Sequence, residues 1–115
     1  MSYVLLIVEP VDQRRARSPD EGRGVYQRML DYTETLRRKG VLMASNSLRE
    51  AAVRLNVRGG RQTLIDGPFI EAKELVGGFF LLDCGTREQA LQLAGECPAA
   101  EWATIEVREV GPCYE

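Results

Sequence analysis

The chain contains no histidine, and that absence removes several chemistries together. A Ser-His-Asp or Cys-His relay cannot be built, within one chain or with a second copy of it. Histidine-ligated zinc and iron sites are excluded as well. Any general acid or base near neutral pH must then be a shifted carboxylate, lysine, cysteine or tyrosine. Cysteine is scarce too. Cys84, Cys97 and Cys113 make an odd number, with no redox-pair or zinc-knuckle spacing. Free thiols in a cytoplasmic protein are the expected state. No excess of one charge sign exists: 15 basic and 17 acidic side chains leave a net charge of −2, which supplies no basic face for nucleic acid. No apolar run approaches a membrane span. The apolar start Tyr3 to Val8 has no basic region before it, and Glu9, Pro10 and Asp12 follow where a cleavage site would need small residues. It reads as a first strand, not a signal peptide.

At 115 residues the chain is expected to form one domain, residues 1–115, able to hold a core without metals or disulfides. The polar stretch from Glu9 to Glu21 holds Pro10, Pro19, Arg14, Arg15 and Arg17 and reads as a long loop, a lid or flap. Its arginines are expected to face water rather than close over an anion. Val25, Met29, Tyr32 and Leu36 recur at spacings of four, three and four, which predicts a helix from about Gly22 to Lys39. Acids at its start, Arg37-Arg38-Lys39 at its end and Gly40 beyond suit the helix dipole and a glycine stop.

Val41 to Leu48 reads as a second strand. Val53–Val57 and Arg61–Ile65 alternate around Arg58-Gly59-Gly60 and predict a hairpin. Pro68 to Glu74 reads as a short helical turn and Gly77 to Asp83 as an apolar strand. Thr86 is expected to cap a helix reaching Glu96, with Ala90, Leu91 and Ala94 inward and Pro98 ending it. Thr104 to Val110 closes the order as the last strand. With the hairpin set aside as an insertion, two strand-helix-strand units remain. The fold class is therefore α+β, a ferredoxin-like split arrangement with two helices on one face of a sheet. Yet Tyr3, Leu5 and Ile7 oppose Val4, Leu6 and Val8, and Phe79 and Leu81 oppose Phe80 and Leu82, so both faces are apolar. A two-fold homodimer would cover the second face.

The densest candidate stretch is Asp66-Gly67-Pro68-Phe69, with Glu71, Lys73-Glu74, Gly77-Gly78 and, at the strand's end, Asp83. Asp66 is the candidate catalytic acid or base, although aspartate before glycine is also a common turn former. Glu71, Lys73, Glu74, Asp83 and Phe69 are the candidate ligand-binding residues. Neighbouring carboxylates could raise one pKa and a lysine could hold an anion, while a solvated charge network is the plainer alternative. Gly77-Gly78 would permit a bulge or a close backbone approach by a ligand, without the context of a phosphate loop. Cys84 follows an apolar strand and reads as a packing residue.

On these residues the chain resembles the YCII-related family, in the branch named for its Asp-Gly-Pro-Phe motif. Met29, Tyr32, Leu36 and Gly40-Val41-Leu42 match upstream, and Glu88, Ala90, Pro98 and Glu106-Val107-Arg108 downstream. The resemblance implies a dimeric α/β barrel. The wider family is linked to a proposed histidine–aspartate pair and to a few small-molecule enzymes; the pair cannot be carried over to a chain without histidine. Members of the motif branch often accompany extracytoplasmic-function sigma factors, which implies an accessory or regulatory role. The expected function is thus a small cytoplasmic homodimer binding a small ligand, without cofactor or metal. A carboxylate-dependent lyase or isomerase and a transcription-factor-associated interaction module are the alternatives.

Overall fold

The alternation in the first strand sets up the architecture. In the computed structural model, which describes residues 1–69 and 71–114, β1 (Ser2–Pro10) buries Tyr3, Leu5, Ile7 and Glu9 on one face. It lies at the centre of a four-stranded antiparallel sheet with β2 (Leu42–Ser47), β5 (Glu74–Asp83) and β6 (Thr104–Glu109), in the order β2-β5-β1-β6. That order is what two split strand-helix-strand units produce. The helices α1 (Pro19–Arg38) and α2 (Arg87–Gly95) pack on the face that carries Tyr3, Leu5 and Ile7. Leu5, Leu36 and Leu82 are fully buried there, each stabilising the fold by about 1.5–3 kcal/mol. Tyr32 meets Phe80 edge to face at 5.2 Å between ring centroids, and its hydroxyl donates to the Leu93 carbonyl at 2.6 Å. Burial pushes that hydroxyl's pKa well up, so it stays a neutral donor.

Three elements differ from their sequence expectation. The long loop is short. Glu9 and Pro10 belong to β1, and tight turns follow, closed by backbone bonds such as Gln13 to Pro10 and Ala16 to Asp12. The helix then begins at Pro19. The Ser18 hydroxyl accepts from the Glu21 backbone N–H and the Glu21 carboxylate accepts from the Ser18 N–H, a reciprocal cap with proline at the first helical position. In α2 it is Leu93, not Leu91, that turns inward with Ala90 and Ala94, because at 100° per residue the inward positions run i, i+3, i+4. The stretch after Asp66 is no helical turn in its described part. Pro68 and Phe69 are irregular, a single turn closes from Ala72 N–H to the Phe69 carbonyl, and Ile70 lies outside the described residues.

The hairpin of β3 (Val53–Arg58) and β4 (Arg61–Asp66) forms as expected around Gly59 and Gly60, both at positive φ as a two-residue primed turn requires. It pairs with neither edge of the main sheet and leaves Val53, Leu55, Val57, Leu64 and Ile65 exposed. The radius of gyration is consequently 16.1 Å, against about 13 Å for a compact chain of this length.

Replacing the cap, Ser18→Ala, is expected to lower stability by about 1 kcal/mol with an unchanged m-value in urea unfolding. No loss would mean that α1 is held by its packing alone.

Candidate functional site

Period two carries an acid into the core. Glu9 has the parity of Tyr3, Leu5 and Ile7, and it is the buried charged residue of the sheet, 7% exposed. A carboxylate so placed needs a partner. Arg14 supplies it from the turn that follows. Its Nε donates to Glu9 Oε2 and one terminal nitrogen to Oε1, both at 2.8 Å, a two-pronged pair. The same guanidinium donates to the Leu48 carbonyl at 2.8 Å and the Gly77 carbonyl at 3.2 Å. The bond to Glu9 pushes the Arg14 pKa up, so its charge is fixed. One side chain thus ties together the end of β1, the residue after β2 and the bulge in β5.

Gly77 makes this geometry possible. β1 and β5 shift register between Ile7 and Val8, leaving Gly77 as the extra residue of a bulge. A Cβ on Gly77 would overlap the Glu9 carboxylate and crowd the Arg14 guanidinium. Of the two expectations for this glycine, a bulge and a close approach by a ligand, the bulge forms, and the group that approaches closely is the chain's own carboxylate. At Gly78 a Cβ would press on the Asn46 carbonyl at 3.0 Å, so the β2–β5 contact also needs the glycine.

Beside this cluster lies a cavity of about 620 Å³ between α1 and the sheet. Val25, Met29 and Leu30 from α1, Ser45 and Ser47 from β2, and Trp102 form its wall, with Arg14, Arg17 and Arg49 at its margin. The helical stripe therefore does two jobs. Tyr32 and Leu36 enter the core, whereas Val25 and Met29, half-buried, face the cavity. Gln13 links the turn to the far wall by donating to the Trp102 carbonyl at 2.6 Å, and its amide oxygen accepts from Arg17 at 3.2 Å. The guanidinium carbons of Arg17 and Arg28 lie 5.7 and 5.3 Å from the Trp102 ring centroid.

The residues singled out in the sequence lie elsewhere. Asp66 is exposed at the end of β4. Glu71 is exposed and pairs with Arg54 at 3.1 Å, and Arg54 also stands 3.7 Å over the ring centroid of Phe69, which is half-buried. Lys73 and Glu74 are exposed, the Lys73 carbonyl accepting from the Val11 N–H at 3.0 Å. Asp83 is exposed and reaches the N-terminal amine at 3.7 Å. It stands at the opposite end of the ten-residue β5 from Glu74, about 30 Å away at the rise of an extended strand. These residues do not gather in one cleft. Glu74 and Phe69 do border a second cavity of about 850 Å³, lined also by Val8, Val76 and Pro68. Of its arginines, Arg15 and Arg54 are paired with Asp12 and Glu71, while Arg49 borders this cavity as well as the first.

The sequence expectation puts Glu9 at the start of a loop and Arg14 in water, whereas the structure buries the first and half-buries the second. The available signal was the parity of Glu9 with the buried residues of β1 and an arginine one turn beyond. Cys84 and Cys97 are buried, and burial raises both thiol pKa values, which fits packing rather than reactivity. Among the described residues no group of three or more Cys, Asp and Glu is placed to hold a metal ion.

Gly77→Ala is expected to destabilise the fold by about 1–3 kcal/mol through overpacking against Glu9. In a Glu9→Ala background the same substitution is expected to cost clearly less, because the overlapping carboxylate is gone. Equal costs in a urea-unfolding double-mutant cycle would show that Gly77 is needed for its backbone alone.

Comparison with known proteins places this geometry in context. A stretch of 54 residues is 39% identical to an uncharacterized protein of Rhizobium meliloti (strain 1021). That stretch covers 47% of this chain and 44% of the relative, so the match spans less than half of either. The family model of the YCII-related domain matches residues 1–113. A match over nearly the whole chain, joined to two helices on a four-stranded antiparallel sheet, shows that the protein belongs to the YCII-related domain family.

Proposed function

We propose that this protein is a homodimer of the Asp-Gly-Pro-Phe branch, completing a dimeric α/β barrel, that binds a small ligand in an accessory or regulatory role. The cavity between α1 and the sheet carries the reading. Its volume of about 620 Å³ falls in the range of small-molecule sites, about 300–1,000 Å³. It is walled by regular elements of the main sheet and α1, and apolar side chains meet a few convergent polar groups there, as such sites require. The larger cavity is bordered mainly by loops, and Arg15 and Arg54 there are engaged, so we assign it to subunit contact. The buried, unpaired thiols Cys84 and Cys97 fit a reducing cytoplasmic setting. Among the described residues no helix is long and apolar enough to cross a membrane. The accessory role rests on the branch's habit of accompanying sigma factors, and such a factor is the proposed hetero-partner.

Two observations support the dimer. Val4, Leu6, Val8, Phe79 and Leu81 form an apolar stripe on the sheet face away from the helices. The exposed surface is 8138 Å², against about 6,300 Å² for a typical folded monomer of this mass. The excess, about 1,800 Å², is more than the roughly 800 Å² that one partner contributes to a standard interface. Sedimentation at micromolar concentration is expected to give a dimer, and Leu6→Arg a folded monomer. A monomeric wild-type protein would remove the dimer from the reading.

Ligand binding is tested by thermal shift against a metabolite library, comparing the wild type with Val25→Trp, which fills the cavity. Compounds are expected to stabilise the wild type, by about 2.7 kcal/mol at a hundredfold excess over Kd, and to lose that effect in the variant. Compounds that stabilise both alike would place binding elsewhere and overturn the assignment.

A further inference from the structure

We infer that the ligand of the α1 cavity is a small organic acid, a carboxylate or phosphate monoester on an apolar body, whose charge is met by Arg17 and Arg49. The inference rests on the reading of this cavity as a ligand site and adds the chemical class. Three arginines border the cavity and no aspartate or glutamate among the described residues does. The three are not equivalent. Arg14 is consumed by Glu9 and by two backbone carbonyls. Arg17 and Arg49 have no carboxylate within ion-pair distance among the described residues; Arg58, Arg61, Arg87 and Arg108 share that but border neither cavity, and Arg15, Arg23, Arg28, Arg37, Arg38 and Arg54 are paired.

Nearby acids do not quench these two cations. Glu21 feels the charge of Arg17 from one turn along the chain, but its carboxylate is engaged by the Ser18 N–H at the helix cap. Glu50 follows Arg49 in sequence and borders the second cavity with it, but makes no ion pair with Arg49, and its charge acts on Arg14. Arg17 spends one donor on Gln13 and presents its remaining N–H groups. A guanidinium with free N–H groups beside an apolar wall attracts an anion that can accept two parallel bonds. Val25, Met29, Leu30 and Trp102 offer nothing polar but the indole N–H and therefore take the uncharged part of the ligand. A bare inorganic anion would leave that wall unused, and a neutral apolar molecule would leave both cations unmet.

Trp102 is the single tryptophan of the chain and borders the cavity, so its fluorescence reports occupancy. The probes are benzoate, phenyl phosphate, the neutral isostere benzamide, and inorganic phosphate, titrated into the full-length protein. Benzoate or phenyl phosphate is expected to bind at least about tenfold more tightly than benzamide, the equivalent of one charge-assisted hydrogen bond. Which of the two binds better distinguishes a carboxylate from a phosphate ester. The Arg17→Gln/Arg49→Gln double variant is expected to abolish the preference while benzamide binding persists. Arg49→Gln alone, which leaves the Arg17 contact with the indole in place, is expected to reduce it about tenfold.

Benzamide binding as tightly as the acids would overturn the inference and leave the cavity reading standing. So would silence from every probe while library compounds still discriminate the wild type from Val25→Trp. A preference that survives in the double variant would remove Arg17 and Arg49 from the role, and inorganic phosphate binding as tightly as phenyl phosphate would remove the apolar body. Library compounds that stabilise Val25→Trp as well as the wild type would instead fell the cavity reading itself.

Discussion

The two-pronged pair of Glu9 with Arg14 is the constraint on which the functional end of this molecule depends. A carboxylate on the inward face of a central strand costs several kcal/mol unless it is matched. Matching it draws the turn after β1 back over the sheet. The same arginine then reaches the carbonyls of Leu48 and Gly77, so three strands converge on one guanidinium. The bulge at Gly77 gives the carboxylate its room. Because the turn is pinned, Ser18 and Pro19 start α1 at a fixed place, and the gap between that helix and the sheet becomes the cavity. The ion pair is best understood as architecture. Its charges pair with each other, while Arg17 and Arg49 at the cavity margin have no carboxylate within ion-pair distance among the described residues.

The chain divides its apolar surface among three uses. The inward residues of β1 and β5 meet Tyr32, Leu36 and the small residues of α2 in the core. The first half of the α1 stripe is left to wall the cavity. The outward residues of β1 and β5 stay half-covered and, with the projecting hairpin, account for a surface larger than a monomer of this mass normally carries. The Asp-Gly-Pro-Phe loop lies on this third surface, beside the hairpin stem, with Gly67 bonded to the Ala52 carbonyl at 2.9 Å and Phe69 under Arg54. Its density of charges, conspicuous in the sequence, is spent largely on exposed pairs, which contribute little individually.

Local chemistry was legible wherever a residue's role is set by its near neighbours. Strand alternation in β1, the 4-3-4 stripe of α1, the Gly59-Gly60 turn and the Thr86 cap all act over a few residues, and each appears where its pattern placed it. Even the split strand-helix-strand order followed from the sequence of elements. The start of α1 was legible too, since Ser18-Pro19 with Glu21 three residues after the serine is a local cap signature; the polar composition around it masked the signal. Leu91 and Leu93 were ambiguous because in a nine-residue helix either leucine continues an apolar pattern, and only the direction of the sheet chooses between them.

Composition and periodicity act along the chain, and they settled most element types, the two-faced sheet and the exclusion of histidine chemistry. Tertiary structure decided which charges meet. Glu9 and Arg14 are neighbours in sequence, but their value lies in Gly77 and Leu48, far along the chain and brought together by strand pairing. Asp83 and Glu74 share a strand and were grouped by proximity in sequence, yet an extended strand carries its ends far apart. Arg17, Arg49 and Trp102 come from three separate segments and meet at one cavity because the order β2-β5-β1-β6 folds those segments to the same end of the sheet. A site made of such long-range neighbours has no local signature, since each residue's chemistry is ordinary until the backbone delivers the others.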